Sequence, residues 1–181
     1  MTISKSAYSV AGKIGKIEGH TIVVWVDNEA GVLARVIGLI SGRGYNIESL
    51  TVAEVNKAEH MSRITIVTTG TVKVIRQLEA QLDRLVPVHS VLNLTADTDS
   101  LEREMALVKV VASGDKRVES LRLSEAFRAK VMDATHGSFV FELTGSPQKI
   151  DAFIDLMHPL GLSDVSRTGV VAISKGSSNM G

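Results

Sequence analysis

The groups in this chain best suited to chemistry are side-chain amides and backbone N–H groups. They gather in one stretch, Asp27 to Leu50, DNEAGVLARVIGLISGRGYNIESL. Asn28 and Asn46 sit at the two turns that flank a helical pattern, and Gly31 opens that helix. An amide carries both donors and acceptors, so either Asn can meet a carboxylate or an ammonium. The N–H groups near Gly31, Val32 and Leu33 lie at a helix start, where no intrahelical acceptor exists and the helix dipole favours an anion. Gly31 lacks a Cβ, so a ligand can approach the main chain closely. Asp27 and Glu29 favour an ammonium and repel a phosphate. The chemistry that fits is the recognition of a small zwitterion, not its transformation. Asn28, Gly31, Val32, Leu33, Asn46 and Ile47 are the candidate ligand-binding residues, with Val32 and Ile47 as the apolar wall. The residues alone leave a second reading open, in which Asn28 caps the helix and Gly31, Gly44 and Asn46 only shape turns.

No catalytic constellation competes with this. The sequence has no cysteine, which removes disulfides, thiolate metal sites and thiol nucleophiles, and is compatible with a cytoplasmic setting. Its five histidines, His20, His60, His89, His136 and His158, stand too far apart for two to ligate a metal from one helix face. GxSxG, HExxH and GxGxxG are all missing, so no catalytic residue, metal or cofactor is assigned. Gly42-Arg43-Gly44 follows a helix and lacks phosphate-loop spacing, so it reads as a helix C-terminus. Arg63 reads either as an exposed strand charge or as a contact to a partner subunit.

The 181 residues suffice for one large domain or two small ones. Lys and Arg number 20, as do Asp and Glu, and this balance argues against nucleic acid or an anionic membrane as a bulk electrostatic partner. No apolar run is long enough to span a bilayer. With aromatics at 4%, the core must come from Val, Ile and Leu.

The elements that position the site follow from periodicity. Thr21–Val26 is a continuous apolar strand, which predicts burial on both faces or at a subunit interface. Val32, Leu33, Val36, Ile37 and Ile40 form one stripe on a helix over residues 31–42. Strands follow at Ile47–Val55 and Met61–Thr69, then a helix at Thr71–Leu85 and a strand from Pro87 to Leu94. The same order recurs: a strand at Met105–Ala112, a helix over residues 116–130 with a less clean stripe, strands at Val131–Thr135 and Ser138–Thr144, a helix at Ser146–Leu160, and a closing strand at Val165–Ile173. Thr69-Gly70-Thr71, Ile75, Leu78, Leu82 and Leu85 match Thr144-Gly145-Ser146, Ile150, Phe153, Met157 and Leu160 at a constant offset. The prediction is α+β, with two ferredoxin-like βαββαβ units, each a four-stranded antiparallel sheet bearing two helices on one face. The expected layout is a flexible leader at 1–19, a sensor unit at 20–95, a linker at 96–103, a second unit at 104–175 and a disordered tail at 176–181. Each sheet's other face needs a cover, from the other unit or another chain. The second unit has Gly114-Asp115-Lys116 where the first has Asn-x-x-Gly, so it is expected to dock rather than to sense.

Residues 28–53, NEAGVLARVIGLISGRGYNIESLTVA, closely resemble the signature of the small, regulatory subunit of acetolactate (acetohydroxyacid) synthase. Ser62-Arg63-Ile64-Thr65-Ile66, Glu102-Arg103-Glu104, Phe127-Arg128-Ala129 and Ser166-Arg167-Thr168-Gly169-Val170 resemble later landmarks of that family. The resemblance implies an N-terminal ACT domain that pairs in a homodimer and binds valine or a related branched-chain amino acid at the interface. The family's pocket positions fall on Asn28, Gly31, Val32, Leu33, Asn46 and Ile47. It also implies a non-catalytic chain that activates a separate catalytic subunit and confers feedback inhibition on branched-chain amino acid synthesis. Thiamine diphosphate, Mg²⁺ and FAD are then expected on that subunit and none on this chain. The competing reading is a free-standing amino-acid sensor or the effector domain of a transcriptional regulator, which would need a DNA-reading arm that residues 1–19 are too short to supply.

Overall fold

The computed structural model describes residues 16–97 and 99–177. Most of the expected leader, residues 1–15, and the end of the expected tail, residues 178–181, lie outside the described residues. The first unit comprises β1 (Glu18–Asp27), α1 (Val32–Ser41), β2 (Ile47–Asn56), β3 (Met61–Gly70), α2 (Val72–Leu82) and β4 (Val88–Asn93). A short helix, α3 (Leu94–Asp97), leads to β5 (Ser100–Val111), α4 (Gly114–Phe127), β6 (Lys130–Ala134), β7 (Ser138–Gly145), α5 (Pro147–Gly161), β8 (Leu162–Arg167) and β9 (Val171–Ser174). The sheets run β2-β3-β1-β4 and β6-β7-β5-β8, with every pairing antiparallel. The two units therefore share one topology, as the internal repeat predicts.

Strand alternation sorts the first unit's side chains. Ile22, Val24 and Val26 of β1, with Ile64 and Ile66 of β3, face the helices and meet Val32, Val36 and Ile40 of α1 and Ile75, Leu78 and Leu82 of α2 in one core. Val23 and Trp25 point the other way and are also buried, which explains the unbroken apolar run of β1. Leu94 and Ala172 complete that second, smaller cluster. The cover on the first sheet's far face thus comes from the same chain. β5 is long because its two ends do different work: Ser100–Arg103 pair with β9, while Ala106–Val110 pair with β8. The β5–β9 ribbon places Ala172 over the first sheet.

Two readings change here. Ser100–Arg103, expected in a linker, belong to β5, because pairing with β9 organises a stretch with no apolar period of its own. The closing strand expected at Val165–Ile173 is two strands, because Gly169 at φ 82° turns the chain out of the second sheet and into the ribbon. The weak stripe of α4 also has a cause. Its fully covered positions include Ser120 and Ser124, whose hydroxyls donate back to the carbonyls of Arg117 and Leu121. Aliphatic residues supply most of the first core, but the second uses phenylalanine: Phe153 lies 5.3 Å from Phe127 and 6.1 Å from Phe141, ring to ring.

The repeated Thr/Ser before the second helix of each unit is an N-cap. Thr71 accepts from the Val74 N–H and Ser146 from the Lys149 N–H. Ser146→Ala should cost about 1 kcal/mol. That appears as a lower urea midpoint at unchanged m-value, and an unmoved midpoint would show that the cap contributes nothing.

Candidate functional site

The helix start is built as its sequence requires. Gly31 is the N-cap at φ 85°, a left-handed conformation in which a Cβ is strained, and the space where a Cβ would stand is open. No side chain caps the helix. The Val32 N–H reaches the Glu29 carbonyl at 3.3 Å and the Arg35 N–H the Gly31 carbonyl at 3.1 Å. The amides of Leu33 and Ala34, between them, belong to the first turn, where a helix offers no partner. They remain available to an anion.

Val32 does not line this opening. It is 2% exposed and packs in the first core, because the Val32, Val36, Ile40 row of α1 faces the sheet. Its contribution to a ligand is limited to backbone. Leu33, 37% exposed, is the large apolar side chain of the first turn that solvent reaches. Ile47 is half-buried at the edge of the core, and Asn46 is exposed with its carbonyl held by the Thr68 hydroxyl at 2.6 Å.

The six candidates form two groups. Asp27 pairs with Met61 at one end of β1, whereas Ile47 is aligned through Thr68 with His20 near the other end. His20 and Asp27 are seven strand positions apart, about 23 Å. Asn28, Gly31, Val32 and Leu33 are therefore at one end of the sheet and Asn46 and Ile47 at the other, with α1 running between them. No single amino acid touches both groups of one chain. The Asn28 side chain donates instead to Glu54 Oε1 at 3.0 Å, near the C-terminal end of β2. β2 is an edge strand.

A cleft of about 700 Å³ lies between the two units, with Ser49, Leu50, Glu102, Glu104, Arg167 and Val170 among its walls. None of the six candidates lines it. The helix start is by contrast open, with no atom within 4 Å of where a Gly31 Cβ would stand. In the cleft, Arg167 forks onto Glu104 at 2.8 and 2.5 Å and reaches Asp151 at 2.7 Å. The Glu104 hydrogen bonds raise the Arg167 pKa above its ordinary value, and Glu104 is itself buried. A buried carboxylate needs such a partner.

Arg63 is not a freely exposed strand charge, since it has partners within the chain. Its guanidinium lies 5.1 Å from the Trp25 ring centroid and donates to the Ala172 carbonyl, while burial lowers its pKa. Sequence reasoning identified Arg63 but not the ribbon it holds. Among the described residues no group of acidic or histidine side chains could hold a metal, and no helix is long and apolar enough to cross a membrane. Gly42 and Gly44 close α1 as expected, with Gly44 at φ 76°.

A βαββαβ unit with an uncapped helix start, and a second unit of the same topology folded back onto it, define an ACT-domain protein of two units. Residues 22–90 match the ACT domain described as acetohydroxyacid synthase small-subunit-like, and residues 103–176 match the family described as the small subunit of acetolactate synthase. The chain is 45% identical to a probable acetolactate synthase small subunit of Archaeoglobus fulgidus, over 87% of this chain and 97% of that one. It is also 45% identical to the isozyme 3 small subunit of Escherichia coli, over 84% and 93%. The crystal structure of the Thermotoga maritima small subunit superimposes with a TM-score of 0.80 at 36% identity, covering 89% of this chain and 99% of that one. The chain belongs to the acetolactate synthase small-subunit family and is a regulatory, non-catalytic subunit.

Proposed function

We propose that this chain activates an acetolactate synthase catalytic subunit and makes it subject to feedback inhibition by valine or a related branched-chain amino acid. The effector sits between two copies of the chain. The observation that carries this reading is the separation of the site residues. Asn28 is tied to Glu54 near one end of edge strand β2, and Asn46 and Ile47 stand at its other end. Antiparallel pairing of β2 with β2 of a second copy brings the helix start of one protomer beside Asn46 and Ile47 of the other, and does so twice. The Leu33 and Ala34 amides hold the effector carboxylate. Amide oxygens of Asn28 and Asn46 accept from its ammonium, and Leu33 and the partner copy's Ile47 enclose the isopropyl group. Burying three or four carbons yields only a few kcal/mol, so the charge-assisted bonds set orientation.

The catalytic subunit carries thiamine diphosphate, Mg²⁺ and FAD and condenses pyruvate with pyruvate or 2-oxobutanoate; this chain supplies no group to that reaction. Acetolactate formation by the cognate catalytic subunit, with and without this chain across a valine titration, tests the proposal. Stimulation without valine and its loss with valine is the expected result. Stimulation without any valine response removes the effector site. No effect of either kind leaves a free-standing sensor.

A further inference from the structure

We propose that Ser49 and Thr51 of β2 are the relay between the effector site and the second unit, through their grip on the bend at Thr168–Val170. This rests on the effector reading above and deepens it. The two hydroxyls stand two residues apart on one face of β2 and together hold a single residue of the second unit. The Val170 N–H donates to Ser49 Oγ at 2.8 Å, and the Thr51 hydroxyl donates to the Val170 carbonyl at 2.9 Å. β2 thereby holds both backbone polar groups of Val170 with side chains, across the gap between the units. The approach is close: a Cβ on Gly169 would stand 2.8 Å from Ser49 Oγ and 3.0 Å from Thr51 Oγ1.

The far side of the bend is fixed just as firmly. The Thr168 N–H donates to the Met105 carbonyl at 3.0 Å, and the Met105 N–H donates to the Thr168 hydroxyl at 3.1 Å. Arg167 is anchored on Glu104 and Asp151. The bend thus joins β2 to the second sheet with little slack, and a shift of β2 must either carry Val170 along or break its two hydrogen bonds.

The near side begins at the proposed effector contact. Ile47 pairs with Thr68 and Ser49 with Val67, so the register slips by one residue at Glu48. Such a bulge is where a strand bends most readily. It separates the effector residues Asn46 and Ile47 from the grip residues Ser49 and Thr51. An effector that draws Ile47 toward the partner copy acts across this bulge on Ser49, and through Val170 on the second unit. Coupling of this kind requires a differential interaction of the ligand with two arrangements, and the two hydroxyl bonds are what differs.

The double variant Ser49→Ala, Thr51→Val in the full chain, assembled with the catalytic subunit, separates relay from pocket. Stimulation without valine should stay within about twofold of wild type and calorimetric valine binding within about threefold, while the valine concentration for half-inhibition rises at least about tenfold. Thr51→Ser keeps a hydroxyl and should retain wild-type inhibition. Inhibition unchanged in the double variant overturns the relay. Loss of valine binding together with inhibition also overturns it, by placing the hydroxyls in the pocket. Absence of valine binding by the wild-type chain defeats the effector reading first, and the relay with it. A measurement on the wild-type chain is independent of whether the variant folds. Hydrogen exchange at the Val170 amide should change at least about threefold on saturation with valine, and an unchanged rate overturns the relay.

Discussion

Replacing Gly31 by Asp should leave stimulation of the catalytic subunit intact and abolish its inhibition by valine. The backbone at this position is left-handed, with φ 85° and ψ −8°. Asp tolerates that region better than most residues, so the strain is at most about 1–2 kcal/mol. No atom lies within 4 Å of where the Cβ would stand, so steric repacking adds nothing. What changes is electrostatic. A carboxylate at the N-cap accepts from the first-turn amides, satisfying the donors that the effector carboxylate needs, and repels that carboxylate as well. The valine Kd should rise at least about a hundredfold, which corresponds to about 2.7 kcal/mol. Gly31→Ala is the control for strain alone and should weaken binding by no more than about tenfold. A Gly31→Asp complex inhibited at the wild-type valine concentration would show that the ligand sits elsewhere, the inter-unit cleft being the first place to look.

Much of this was legible in the residues. The Val32, Val36, Ile40 row shows which face of α1 packs, and the offset between Thr71 and Ser146 reveals two copies of one unit by the caps they share. Strand alternation fixes which side chains of β1 face the helices. It does not say what lies on the other face, and for that reason Trp25 and Arg63 had no visible partners. Their cover comes from Ala172, 109 positions beyond Arg63 on β9, in a ribbon whose strands β5 and β9 are defined by pairing with each other and carry little period of their own. The break between β8 and β9 did have a local sign in Gly169, a residue that permits the left-handed turn found there. The site was legible as a set of residue types, but not as a place. Val32 belongs to the apolar stripe and faces the core, whatever else its position in the turn offers. Asn28 and Asn46 flank one ten-residue helix, and α1 with the turns at its two ends carries the chain from one end of the sheet to the other.

That separation makes the second copy indispensable, and the largest functional effect should follow from removing it. Val52→Asp places a charge in the middle of edge strand β2, at a side chain 41% exposed in the single chain. Antiparallel pairing that sets Ile47 of one copy beside the Asn28–Glu54 end of the other has its two-fold axis near Thr51 and Val52. The two introduced carboxylates then lie on one face of the joined sheet, close across the seam on either side of the axis. Like charges opposed across a strand pair destabilise it, and at a buried interface the cost reaches several kcal/mol. The self-association constant should fall at least about a hundredfold, seen by sedimentation at micromolar concentration. The protomer keeps its fold, because Val52 lies outside the buried core, and an unchanged far-ultraviolet dichroism spectrum checks this. Valine binding should disappear along with dimerisation, although Asn28, Gly31, Leu33, Asn46 and Ile47 are all intact, since each protomer then holds only half a site. Raising the protein concentration until dimers return should restore binding, a recovery that direct damage to a pocket would not show. Val52→Asp dimers that persist and bind valine normally would place the seam on another surface and require the effector to be held by one end of the sheet alone.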